Sequence, residues 1–241
     1  MLCWKEVNCR LLVEAMTSHR LMFFPCKGKA FARLTKKPAN HDPKTVVIFG
    51  SARGGTTMTA RVVSSLGIHL GYDIGNNFED NAFNLEQLNL KVSTHSAQVI
   101  KYMESEIAIR NQRFETWGWK YPNASLYLPE IMTSLRNPYL ICVFRDCIAT
   151  TSRMMRKTLK EQGNPFDVLD RFYSIQKSNL DLIKSCDKPS LLCSYEKAIA
   201  HPRQFVKQVA SFLGMSLDNQ QINNSAKEIT PGSYIKPRKI A

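Results

Sequence analysis

Arg53 stands inside a run of small residues, Gly50-Ser51-Ala52-Arg53-Gly54-Gly55-Thr56-Thr57. One cation among exposed backbone amides, with two hydroxyls at the exit, is the chemistry of a phosphate or sulfate site. A second arginine, Arg145, follows the apolar run YLICVF and precedes Thr151, Ser152 and Arg153. Lys120 closes the run TWGWK, and Glu79 and Asp80 sit together in NNFEDNAFN. The loop's residue types suit binding of a phosphorylated, nucleotide-like ligand.

The elements around them must bring these residues to one place. A β-branched apolar run at 45–49 predicts a strand, and apolar periodicity from Met58 predicts a helix over 57–67 that Gly67 ends. Further strands are expected at 116–120, 139–144 and 190–194, and helices at 96–111, 124–136, 147–162, 166–185 and 202–213. Alternating strands and helices imply right-handed crossovers, hence an α/β fold with a central parallel sheet and helices on both faces. Ligands of such sheets sit at the carboxyl ends of the strands. The loop after residue 49 and the segment after Phe144 both leave such ends. They can therefore share a ligand although about 90 residues separate them. Residues 1–43 form a separate appendage, a short helix around Leu11–Met16 and a basic irregular arm, ahead of one α/β domain over 44–241.

Gly50 and Gly55 have Walker-loop spacing, but Thr56 stands where that loop carries its lysine. With its one cation earlier, Ala52-Arg53-Gly54-Gly55-Thr56-Thr57 resembles the 5′-phosphosulfate loop of the sulfotransferases, whose architecture is P-loop-like. Arg145 and Ser152 resemble that family's 3′-phosphate motif, and TWGWKYP and YEKAIAHP…FLG extend the resemblance over about residues 44–215. NNFEDNAFN is similar to a region of the bacterial-type members. The resemblance implies a donor, 3′-phosphoadenosine 5′-phosphosulfate (PAPS), and a product, 3′,5′-adenosine bisphosphate (PAP), with no metal. It implies sulfuryl transfer by in-line displacement to a hydroxyl or amine of a small-molecule or carbohydrate acceptor. On this reading Ala52, Arg53, Gly54, Gly55, Thr56 and Thr57 hold the phosphosulfate. Arg145, Ser152 and Arg153 hold the 3′-phosphate. Arg53 and Lys120 are catalytic cations and Glu79 is the general base, with Asp80 and His95 as alternatives. Two departures stand out: Gly54 replaces the family's serine, and Ser152 falls one residue early. One residue turns a helical side chain by roughly 100°, so Thr151 and Arg153 also compete for that role.

Composition narrows the other classes. The 241 residues carry a net charge of +13, which suits an anionic ligand. The positive charges are spread along the chain rather than blocked, and no nucleic-acid motif is present, so nucleic acid is not expected as a partner. Two other readings are a kinase using Mg-ATP and a noncatalytic nucleic-acid-binding protein. The seven cysteines are scattered, without metal-ligand spacing, which fits a reducing, cytoplasmic setting. Lys5, Glu6, Arg10 and Glu14 interrupt any signal-peptide core, and no apolar run is long enough to span a bilayer.

Overall fold

Strand β3, Lys44–Gly50, is the middle of the structure, and Val46, Val47, Ile48 and Phe49 along it are wholly buried. A computed structural model describes residues 21–22, 31–34, 42–72, 74–88, 97–157 and 164–230. Side chains alternate along a strand, so β3 feeds two cores. Val46 and Ile48 pack with Val62, Val63, Phe205 and Phe212 on one face. Val47 and Phe49 pack with Ile107, Trp117, Trp119 and Tyr127 on the other. Continuous burial is what a parallel strand covered on both faces requires, and each such side chain contributes about 1.5–3 kcal/mol.

β3 pairs in parallel with β4, Thr116–Lys120, on one side and with β5, Pro138–Phe144, on the other. β5 pairs in parallel with β6, Ser190–Ser194. Two short antiparallel strands, β1 (Leu21–Met22) and β2 (Phe31–Leu34), extend the β6 edge, giving the order β1-β2-β6-β5-β3-β4. This differs from the irregular arm expected there. Strands this short show no alternation, and they form by pairing with an edge that would otherwise be open. The helix expected around Leu11–Met16 lies outside the described residues.

The helices follow their capping signals. α1, Thr56–Ser65, ends before Gly67, whose φ of 88° is the left-handed turn expected of a C′ glycine. α2 is Ala97–Arg113. The helix expected over 124–136 is broken into a 3₁₀ turn at Ala124–Leu126, a short helix α3 at Leu128–Ile131 and a second 3₁₀ turn at Met132–Ser134. Pro129 is the reason: it lacks the N–H that a continuous helix needs and can stand only in a first turn. α4 (Cys147–Lys157) and α5 (Pro165–Ser185) follow β5. After β6 come α6 (Tyr195–Ala200), α7 (Pro202–Leu213) and α8 (Asn219–Ala226). α8 starts on a reciprocal capping box between Asp218 and Gln221. Among the described residues no helix is long and apolar enough to cross a membrane.

Candidate active site

The loop between β3 and α1 is shaped by two left-handed residues. Arg53 has φ 62° and Gly55 has φ 101°. Gly55 is required there twice over, because a Cβ would be strained at that φ and would collide with the Tyr195 ring. Gly54 turns inward, its N–H donating to the Ser51 carbonyl at 2.9 Å. α1 then begins with no side-chain cap and no acid in its first turn. Its first amides are therefore unclaimed by the helix and point where an anion would sit.

Arg145, at the carboxyl end of β5, reaches this loop. Its Nη1 donates to the Arg53 carbonyl at 2.7 Å, and its guanidinium lies 4.3 Å from the centre of the Tyr195 ring. Burial lowers the guanidinium from its ordinary value, opposed by Tyr195 and reinforced by Arg153. An arginine stays charged under such a shift. Tyr195 thus lies between Gly55 and Arg145 and packs loop and arginine together. The Gln176 amide nitrogen also donates to the Arg145 carbonyl at 2.6 Å, fixing the chain at the strand end.

On the opposite flank of β3, Lys120 closes β4. It is almost wholly buried, and its Nζ meets Glu79 Oε1 at 2.7 Å. The second carboxylate oxygen of Glu79 accepts from Asn84 Nδ2 at 3.1 Å. The orientation of that amide follows from its other end, because Asn84 Oδ1 accepts from the backbone N–H of Glu86 at 2.9 Å. Burial pushes the Lys120 ammonium down, Glu79 opposes this, and Arg53 adds to it. Two residues predicted as separate functional groups therefore form one ion pair.

Ala52, Arg53, Gly55, Thr56, Thr57, Glu79, Lys120, Arg145 and Arg153 all border one cleft of about 490 Å³. Gly54 and Ser152 do not border it. Gly54 lies beneath the loop, and the helical turn after Arg145 carries Arg153 to the cleft and leaves Ser152 half-buried to one side. Thr151 is buried within α4. Asp80 is structural: it caps the 3₁₀ turn Asn81–Phe83 and forms a buried ion pair with Arg110. His95 lies outside the described residues.

The sequence reading passed over Tyr195, Asn84, Tyr121 and Asn123. Tyr195 could have been found by the rule already applied to Arg145, since it follows the carboxyl end of β6. Asn84 carried no signal, because its role depends on a turn that brings it back to a residue five positions earlier. Among the described residues no group of His, Cys, Asp and Glu could hold a metal ion. Cys142, Cys147, Cys186 and Cys193 are free thiols.

The fold itself is that of the sulfotransferases, an α/β architecture of the P-loop kind. The chain is similar to the sulfotransferase domain of the olefin synthase of Synechococcus PCC 7002, with TM-score 0.52 and 18% identity over 79% of this chain and 80% of that one. It is similar to sulfotransferase STF1 of Mycobacterium tuberculosis H37Rv, with TM-score 0.53 and 13% identity over 77% and 71% of the two chains. It is also similar to mouse sulfotransferase SULT7A1, solved in complex with PAP, with TM-score 0.50 and 13% identity over 79% and 64%. No protein-family model and no curated protein matches the chain.

Proposed function

We propose that this protein is a sulfotransferase that moves a sulfuryl group from PAPS to a hydroxyl of its acceptor, releasing PAP. One observation carries the reading. The Arg53 loop and Arg145, 92 residues apart, meet through a hydrogen bond, and both border the same cleft as the Lys120–Glu79 pair. The loop suits the phosphosulfate, because an uncapped helix start with an inserted arginine has donors to give and no competing acid.

Bound PAPS supplies an activated sulfuryl group and a leaving group that departs as an anion. Arg53 and the amides of the loop hold the negative charge that grows on the leaving oxygen, more strongly in the transition state than before it. Arg145 and Arg153 grip the 3′-phosphate. Lys120 adds positive charge on the acceptor side. Glu79 accepts the proton of the attacking hydroxyl, the Lys120 ammonium and the Asn84 amide holding its carboxylate in place.

Thermal unfolding tests the donor assignment. PAP without magnesium should stabilise the protein by about 2.7 kcal/mol at a hundredfold excess over Kd, a rise of roughly 5–10 °C. Stabilisation by Mg-ATP and none by PAP would favour a phosphotransferase instead. Arg53→Ala should lower turnover far more than PAP affinity, whereas Arg145→Ala should chiefly weaken PAP, both read by steady-state kinetics beside calorimetry. Equal losses in the two variants would remove the distinction between charge stabilisation and binding.

A further inference from the structure

Glu79 reaches the cleft from a turn over residues 74–79 that cannot keep its shape unaided. Gly75 and Phe78 both stand in the left-handed region, at φ 52° and 59°. A residue with a Cβ holds that conformation only where its surroundings fix it. Within the turn the Phe78 N–H reaches the Gly75 carbonyl at 3.4 Å. The Glu79 N–H donates to the Ile74 carbonyl at 3.1 Å and to Asn77 Oδ1 at 3.2 Å. Outside support comes from one face of α1. Thr57 Oγ1 donates to the Asn77 carbonyl at 3.2 Å. Arg61, one helical turn further on, places its guanidinium 6.0 Å from the centre of the Phe78 ring. The Asn77 carbonyl belongs to the planar peptide unit that leads into Phe78. A bond to it therefore sets the φ of Phe78, and with it the direction in which Glu79 leaves the turn.

We propose that Thr57 is a positioning residue for Glu79 and that its hydroxyl is not a ligand of the donor. This rests on the donor and the base assigned above. A hydroxyl has one proton to give, and a phosphosulfate oxygen can only accept. Turning Thr57 Oγ1 toward the donor would release the Asn77 carbonyl just when the base must be seated. Of Thr57, the backbone N–H is left for the phosphosulfate, because α1 begins without a side-chain cap. The first turn of α1 thus holds the donor by its amides and the base by a side chain. Both reacting groups are referred to one rigid element, and a misplacement of about 1 Å between them can cost about a hundredfold in rate.

The full chain is compared with Thr57→Val, which keeps the side chain's shape and loses the hydroxyl, and with Thr57→Ser, which keeps the hydroxyl. Calorimetry reads the Kd of PAP, and hydrogen exchange reads the backbone of residues 74–80. PAP release from PAPS is followed in buffer containing glycerol. There an oxygen of glycerol or water bonds to sulfur, and the bond from sulfur to the leaving phosphate oxygen breaks. PAP departs as the anion, and the proton of the attacking hydroxyl passes to Glu79. Thr57→Val should lower kcat about tenfold and speed exchange in 74–80 about fivefold. The Kd of PAP and the KM of PAPS should stay within about twofold of the parent, and Thr57→Ser should restore every value. In a Glu79→Gln background Thr57→Val should cost nothing further in kcat, because its effect passes through the carboxylate. A Kd of PAP raised about tenfold by Thr57→Val overturns the proposal and makes the hydroxyl a ligand of the donor. Unchanged exchange in 74–80 overturns it too, as do losses in kcat that add in the double variant. Absence of PAP binding by the parent chain overturns the donor assignment itself, and the role of Thr57 with it.

Discussion

Glu79 is held at both oxygens, by a cation and by an amide, and these two partners should separate in experiment. Asn84→Ala removes a hydrogen bond to a charged group, a loss of about 1.5 kcal/mol or more, so kcat should fall about tenfold with the Kd of PAP unchanged. Asn84→Asp keeps the acceptor oxygen for the Glu86 amide and sets a second negative charge beside Glu79. Repulsion of Glu79 should hold the variant's kcat at or below that of Asn84→Ala, with the Kd of PAP again unchanged. A kcat restored to the parent level would make Asn84 a structural residue only. On the proposed mechanism Lys120 acts as the ammonium, and burial lowers its pKa from the ordinary 10.5. Activity should therefore be lost as pH rises through a value below 10.5. Lys120→Arg should move that alkaline limb upward, because a guanidinium keeps its proton. Arg53 and Lys120 stood out in the sequence as cations at or just after strand ends, and Glu79 only through the family resemblance of the turn-rich run NNFEDNAFN. Their partners did not, because the Lys120–Glu79 pair joins positions 41 residues apart.

The loop between β3 and α1 depends on backbone shape more than on any side chain. Gly55→Ala puts a methyl group at φ 101° and against Tyr195, so the loop cannot keep its path. PAP binding in calorimetry should be abolished. Gly67→Ala is the control, since it has a similar positive φ but meets nothing within 4 Å. It should cost about 1–2 kcal/mol of stability in denaturant titration and leave PAP binding intact. The four parallel strands were readable because their apolar runs are short, β-branched or aromatic, and bounded by turn residues. The break at Pro129 was also in the sequence, where apolar periodicity outweighed it. Helix α6 begins directly at the end of β6 with no intervening loop, and that leaves no composition change to mark it.

Across the molecule, the β4 flank of the sheet is braced by a buried charge pair. Arg110 is 1% exposed, lies near the Phe83 and Trp117 rings, and meets Asp80 and Glu106. Removing one partner of such a pair leaves an uncompensated charge, at a cost of about 3–5 kcal/mol. Asp80→Asn should lower Tm by roughly 10 °C, measured by calorimetric scanning, and PAP at saturation should recover only part of it. An unchanged Tm would mean that Glu106 alone suffices for Arg110. Nothing in the sequence marked this pair, since Asp80 read as a candidate base and Arg110 as one basic residue among many.

The hydrogen bond from Arg145 to the Arg53 carbonyl has a bearing on how the protein matures. The loop is given its shape by a side chain that arrives 92 residues later in synthesis, braced by a tyrosine that comes later still. A nascent or partly folded chain that has completed only β3 and α1 has no finished loop to receive the proposed nucleotide. PAP should therefore protect from proteolysis only molecules whose later strands have already docked. It would act as a reporter of complete folding and not as a template that helps an early intermediate along.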